Sequence, residues 1–313
     1  RRALTYAVRP PLRGRHTLGP LTVQLRDPFG LTQRFVEVGA PTELLVLPRV
    51  HALGGSRPPG TGVGAEGEIP FMVALHGEDD QSIREYRDGD DLRRIHWPAT
   101  ARTGELMVRQ EDRPARRRAV VLLDPRADAH GGTGANSSFE WAVSAAASTL
   151  VHLSGLGYAV HLLTPETVHD GPDEVPIEPA AALSVLAITE PDRGLALARL
   201  TRSGLGLLSG GGLLVAVLAA ADETALRSVA TLRHPGATAL AMVLDVGSFS
   251  GHGSTPGQGP ATGVGRGAAN AARAVDLLRG AGWRATAVTA ADSVADAWSR
   301  VGSARDARVG SRV

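Results

Sequence analysis

The sequence predicts an α+β chain in two parts: an N-terminal antiparallel β domain, then a doubly wound α/β domain. Two observations carry this expectation. Over residues 1–50, short runs rich in Val, Leu and Thr recur about every ten residues between Pro/Gly turn signals, the texture of a sandwich or meander. From Ala119 onward, strand-like apolar runs alternate with helical patterns, the texture of a mostly parallel sheet.

The first fifty residues hold runs at Leu4–Val8, Leu21–Leu25, Phe35–Val38 and Leu44–Leu47. Pro10-Pro11, Gly19-Pro20, Asp27-Pro28-Phe29-Gly30 and Gly39-Ala40-Pro41 separate them. Leu21, Val23 and Leu25 alternate with Thr22, Gln24 and Arg26, as expected of a strand with one apolar face. Residues 51–76 read as a flexible Gly/Pro loop. Gly62-Val63-Gly64-Ala65-Glu66-Gly67 matches a dinucleotide-binding pattern there, but Pro58-Pro59 precedes it and no helix pattern follows, so linker is the reading.

Residues 77–118 form a charge-dense module, and residues 119–301 form the α/β domain. Its first strand, Ala119–Leu123, ends at Asp124. Ser137 and Glu140 make a capping box for a helix from about Ser138 to Ser154, with Phe139, Val143, Ala146, Ala147 and Leu150 on one face. Gly155 and Gly157 end it. Strands follow at Tyr158–Leu163, Leu213–Leu218, Ala239–Leu244 and Trp283–Val288, with helices near 192–203, 222–232, 269–281 and 292–299. Residues 247–268 read as a mobile loop and 302–313 as a frayed tail. The uncharged stretch Ser203–Ala221 is too rich in glycine for a helix, and its apolar part too short to cross a bilayer of about 30 Å. It reads as a buried parallel strand.

Composition narrows the function classes. The chain has 313 residues, enough for about two domains, and 43% of them are hydrophobic, enough for a core. A net charge of +1, from 33 basic and 32 acidic residues, speaks against a nucleic-acid binder. Every basic residue is Arg, which excludes Schiff-base and P-loop lysine chemistry. The absence of Cys excludes disulfides, thiolate nucleophiles and Cys-ligated metals, and leaves the compartment open. The first residue is Arg1 rather than Met, which reads as a trimmed chain, and no signal peptide is visible.

The densest chemical signal lies between residues 84 and 118, where ten arginines and seven acids crowd together. Gly89 permits a tight turn, Asp90 or Asp91 can cap a short helix, and Arg93 and Arg94 follow closely enough to pair with the acids. Arg and carboxylate groups at this density build a hydrogen-bonded scaffold, and Trp97 with the arginines can anchor a protein partner. The cluster Arg113, Arg116, Arg117 and Arg118 reads as a solvated link.

Arg84, Tyr86, Gly89, Asp90, Arg93, Ile95, Trp97, Thr100, Ala101 and Arg102 resemble the signature of the bacterial family called domain of unknown function 58. Arg13-Gly14-Arg15, Gly19-Pro20-Leu21, Asp27–Leu31 and Pro48-Arg49-Val50 resemble the family too, and Pro98 departs from it, since members often carry a basic residue there. The resemblance implies a β domain followed by a half similar to von Willebrand factor A domains. It also implies hydrophobic helices ahead of the part seen here, tethering the intact protein to the cytoplasmic face of the bacterial plasma membrane. A MoxR-type AAA ATPase is the implied partner. No established catalytic activity comes with the family. The all-Arg, Ala- and Gly-rich composition fits a GC-rich bacterial genome.

Von Willebrand-like domains bind Mg²⁺ through Asp-x-Ser-x-Ser after the first strand. Here the strand ends Asp124-Pro125-Arg126-Ala127-Asp128, so Arg126 puts a cation where a hydroxyl ligand belongs. We expect an ion pair of Arg126 with Asp124 or Asp128, and no metal and no cofactor. No zincin motif or nucleophile elbow is present.

The sequence thus points to a non-enzymatic, membrane-tethered adaptor that presents Arg84, Tyr86, Gly89, Asp90, Asp91, Arg93, Arg94, Trp97 and Arg102 to a protein partner. The alternative is a hydrolase using His96 as base beside Asp90 or Asp91; a histidine packed near Trp97 is the plainer expectation.

Overall fold

The computed structural model describes residues 5, 7–54, 81–85, 95–111, 117–168, 175–193, 197–208, 211–220, 223–234, 237–250 and 261–303. The chain divides into two compact units, residues 1–61 with 118–313, and residues 62–117. The glycine-rich match at 62–67 lies outside the described residues.

The N-terminal strands are β1 (Gly14–Leu18), β2 (Leu21–Arg26), β3 (Gln33–Val38) and β4 (Thr42–Val46). They are antiparallel as expected, but they form two nested ribbons, β1 with β4 and β2 with β3, in place of a sandwich or meander. The inner ribbon turns at Asp27-Pro28-Phe29-Gly30. Gly30 adopts φ +71° there, and its N–H donates to the Asp27 carbonyl at 3.0 Å. The strand expected at Leu4–Val8 is not formed at its described residues: Thr5, Ala7 and Val8 are irregular. The partner of β4 is β1, whose Arg15 and His16 broke the apolar pattern and hid it from the sequence.

The smaller unit contains β5 (Gln81–Glu85), α1 (Trp97–Thr103) and β6 (Met107–Glu111). β5 pairs antiparallel with β6, and Val108 of β6, which faces Arg84 of β5, also bridges antiparallel to Ile95.

Returning to the larger unit, β7 (Arg118–Leu123) opens a run that alternates strand and helix: α2 (Ser138–Gly155), β8 (Ala159–Leu163), α3 (Pro179–Ile188), α4 (Leu197–Leu208), β9 (Gly212–Ala219) and α5 (Glu223–Ala230). β10 (Ala237–Leu244), α6 (Val246–Phe249), α7 (Ala261–Gly280), β11 (Arg284–Val288) and α8 (Val294–Ser303) complete it. The five strands are all parallel, in the order β11-β10-β9-β7-β8.

Parallel strands covered on both faces carry unbroken apolar runs, which is why β7 and β9 read Ala-Val-Val-Leu-Leu and Leu-Leu-Val-Ala-Val-Leu-Ala. Successive side chains alternate between two cores. Val121 and Leu123 pack with α2, α3 and α8, whereas Val120 and Leu122 pack with α4, α5 and α7.

The described outer edges of the sheet are closed by their own chain. On β8, Val160 O accepts from Ile177 N at 2.9 Å and Leu162 O accepts from Thr167 Oγ1 at 2.5 Å. On β11, Ala285 O accepts from Arg279 Nε and Nη2 at 3.1 and 2.9 Å, and Ala287 O accepts from Arg300 Nη2 at 3.3 Å.

Three expectations need correction. Gly204 and Gly206 do not break the chain into a strand: α4 runs through both, and the strand is confined to Gly212–Ala219. Gly204 sits against Leu163 and Leu232, where a Cβ would lie 2.9 and 3.1 Å from their methyl groups, so its lack of a side chain lets α4 approach the sheet. α3 was not foreseen, because its almost wholly apolar and Ala-rich sequence shows no polar face. The loop expected at 247–268 instead includes α6 and the first turns of α7, with residues 251–260 outside the described set.

Candidate functional site

In a doubly wound sheet, ligands bind outside the carboxyl ends of the strands where the order of growth reverses. Here that point lies between β7 and β9. Asp124, the residue after β7, is completely buried there. Its Oδ1 accepts from Arg126 Nε at 2.9 Å and from the Arg126 backbone N–H at 3.2 Å. Its Oδ2 accepts from Arg126 Nη2 at 2.7 Å and from Ala219 N at 3.1 Å. This is a two-pronged, charge-assisted pairing supplemented by two backbone donors.

The loop after β7 fixes Arg126 as well. Asp192 N donates to Pro125 O at 2.7 Å, and Ala127 N donates to Asp192 O at 2.9 Å, so the backbone on each side of Arg126 is pinned. His130 lies between Asp124 O, 2.9 Å from Nε2, and Ser138 Oγ, 3.0 Å from Nδ1. Ser138 Oγ also accepts from Gly131 N. Burial holds the His130 imidazole below its ordinary pKa, against the opposing pull of the Asp124 charge and its hydrogen bond to the Asp124 carbonyl. The segment is thus a closed polar network.

An oxygen-ligated Mg²⁺ does not fit these residues. Both Asp124 oxygens hold the Arg126 guanidinium, and a second positive charge against them would be repelled. Asp128 is exposed in the short 3₁₀ turn Ala127–Ala129. Among the described residues, no group of three or more His, Asp or Glu side chains is placed to hold a metal.

In the smaller unit, Trp97 opens α1 and is 65% exposed, and Arg102 is exposed in its last turn. His96 has a role that the sequence reading missed. It is the N-cap of α1, and its Nδ1 accepts from Ala99 N at 3.1 Å. A hydrolytic base oriented by a carboxylate needs a proton on the nitrogen that faces that carboxylate. Here Nδ1 is occupied as an acceptor by the helix. Asp90 and Asp91, the acids expected beside it, lie outside the described residues; histidine ranks low among capping residues, so no sequence signal marked this duty. Thr100 Oγ1 ties the same turn to β6 by accepting from Met107 N at 3.0 Å and donating to His96 O at 3.2 Å. Arg84 lies in β5, opposite Val108. Tyr86, Gly89, Asp90, Asp91, Arg93 and Arg94 lie outside the described residues.

A second residue whose role the sequence did not show is Arg13. Its guanidinium pairs with Glu140 on α2, donates to the carbonyls of Leu186 and Thr189 at the end of α3, and lies 5.3 Å from the centre of the Phe139 ring. Ser144 Oγ donates to Arg49 O at 2.8 Å, and Ser148 Oγ accepts from His51 N at 2.9 Å. The N-terminal arm is therefore fastened along α2. Ser137 caps α2 as expected, accepting from Glu140 N at 3.2 Å, but the Glu140 carboxylate turns to Arg13 and the reciprocal half of the capping box is absent.

Fold and site together define a doubly wound α/β protein whose switch point is closed by an internal ion pair. Residues 82–182 match the family model described as Protein of unknown function DUF58, so the family resemblance carried by the signature is shown over that segment. The match runs from β5 into the first turn of α3. No curated protein and no solved structure matches the chain.

Proposed function

We propose that this protein is a non-enzymatic adaptor whose signature module, around Trp97 and Arg102, docks a protein partner. The observation that carries this reading is the exposure of Trp97: an indole left 65% in water at the start of a capped helix is a ready anchor. The engagement of both Asp124 oxygens by Arg126 supports the non-enzymatic part, because it occupies the carboxylate that follows the first strand at the switch point. The finer fold reading, a von Willebrand factor A-like domain whose metal motif has become an ion pair, belongs to this proposal. So do a MoxR-type AAA ATPase as partner and tethering at the cytoplasmic face of the membrane by helices ahead of this segment.

The test is capture of a MoxR-type ATPase by the membrane-anchored protein in the presence of a non-hydrolysable nucleotide. Wild type retains the ATPase, and Trp97→Ala with Arg102→Glu loses it. Retention by the double variant, or no capture by wild type under ATP-trapping conditions, refutes the docking role.

A further inference from the structure

Between the N-terminal arm and the carboxyl end of the sheet lies a half-open groove of about 410 Å³. One wall comes from residues 10–13 and 46–51, and the other from the start of α2 and the turn between β11 and α8. It sits on the side of the sheet where ligands of doubly wound folds bind, displaced from the sealed switch point. Its size is that of a small-molecule site, and its lining is about equally polar and apolar.

Charge accounting gives the class of ligand. The two acids that line the groove are already matched: Glu140 pairs with Arg13, and Asp292 pairs with Arg300 at 2.6 Å. Arg49 also lines it, and among the described residues its guanidinium has neither a hydrogen bond nor an ion pair. Ser137 Oγ accepts from Glu140 N, which leaves its own O–H to donate. The half-buried indole of Trp141 lines the groove, fixed by a hydrogen bond from Nε1 to Asp292 O at 3.0 Å, and Leu47 is 47% exposed beside it. One unmatched cation, one unengaged hydroxyl donor and an apolar wall suit an anion on an apolar body.

We propose that this groove binds a small molecule carrying a carboxylate or phosphate on an apolar body, with Arg49 and Ser137 holding the anion and Trp141 and Leu47 covering the body. The site stands apart from the docking role of Trp97 and does not depend on it.

The experiment is thermal unfolding of the 313-residue chain with phenyl phosphate, benzoate or inorganic phosphate, each at about 10 mM, since a ligand of the folded state raises Tm by mass action. Phenyl phosphate or benzoate is expected to raise Tm, and the stronger of the two identifies the anion. Arg49→Ala should weaken the effect by roughly tenfold or more, the worth of a charge-assisted hydrogen bond. Arg49→Lys should restore part of it, which separates loss of charge from any loss of folding, and Arg15→Ala should change nothing. No rise with any probe, or a rise untouched by Arg49→Ala, overturns the site. Inorganic phosphate acting as strongly as phenyl phosphate overturns the role of the apolar wall.

Discussion

A guanidinium folded back onto a carboxylate two residues away decides what this sheet can do at its switch point. Removing one member of a buried pair leaves the other uncompensated, so Arg126→Ala should cost about 3–5 kcal/mol in urea-monitored stability. Asp124→Asn with Arg126→Met should recover most of it, because neutralising both removes the stranded charge; equal losses in the single and double variants would refute the pairing as the cause. His130 gives a pH dependence. Its pKa is lowered by burial from the ordinary 6.5, so the unfolded chain takes up the proton first as the pH falls. Stability should therefore decline as pH drops below about 6.5, and His130→Gln should flatten the decline between pH 7 and 5. A slope also remains from His152, whose pKa burial lowers; an unchanged slope in the variant would assign the whole effect elsewhere. At this scale the sequence was legible where partners are close along the chain. Asp124 and Arg126 are two apart and announced themselves, whereas Arg13 and Glu140 lie 127 residues apart and nothing local joins them.

Helices and strands were legible where their pattern was single-valued. β7, β9 and β10 were each found within about two residues of their ends, since a continuous apolar run bounded by turns has few other uses. α2 was found because a cap, a periodic face and a glycine stop agreed. α4 was misplaced because intrinsic propensity pointed the wrong way: glycine disfavours a helix by up to about 1 kcal/mol, and packing overrode it. Gly204→Ala tests which effect dominates. Propensity alone predicts stabilisation, but contact with Leu163 and Leu232 predicts a net loss of about 1–3 kcal/mol, the usual cost of overpacking. A gain in the denaturation midpoint would show that those methyl groups move aside. The signature was legible as a family mark rather than as a structure: its spacing identified the module, yet the helix-capping duty of His96 came only from coordinates.

Across the whole molecule, the β segment at the N-terminus is an arm of the α/β unit, held by Arg13, Arg49 and His51 along α2. Sequence reading separated the two because their textures differ, and texture does not report long-range fastening. The sheet itself is finite by construction. Arg279 and Arg300 lie over one flank, and Ile177 and Thr167 over the other, so the carbonyls that would template a further strand already have donors. Arg279→Ala should expose one such carbonyl and speed thioflavin-positive aggregation on mild heating, and an unchanged lag time would count against that guard. Copies of this parallel sheet can therefore be crowded side by side without the edge of one offering free carbonyls to the next.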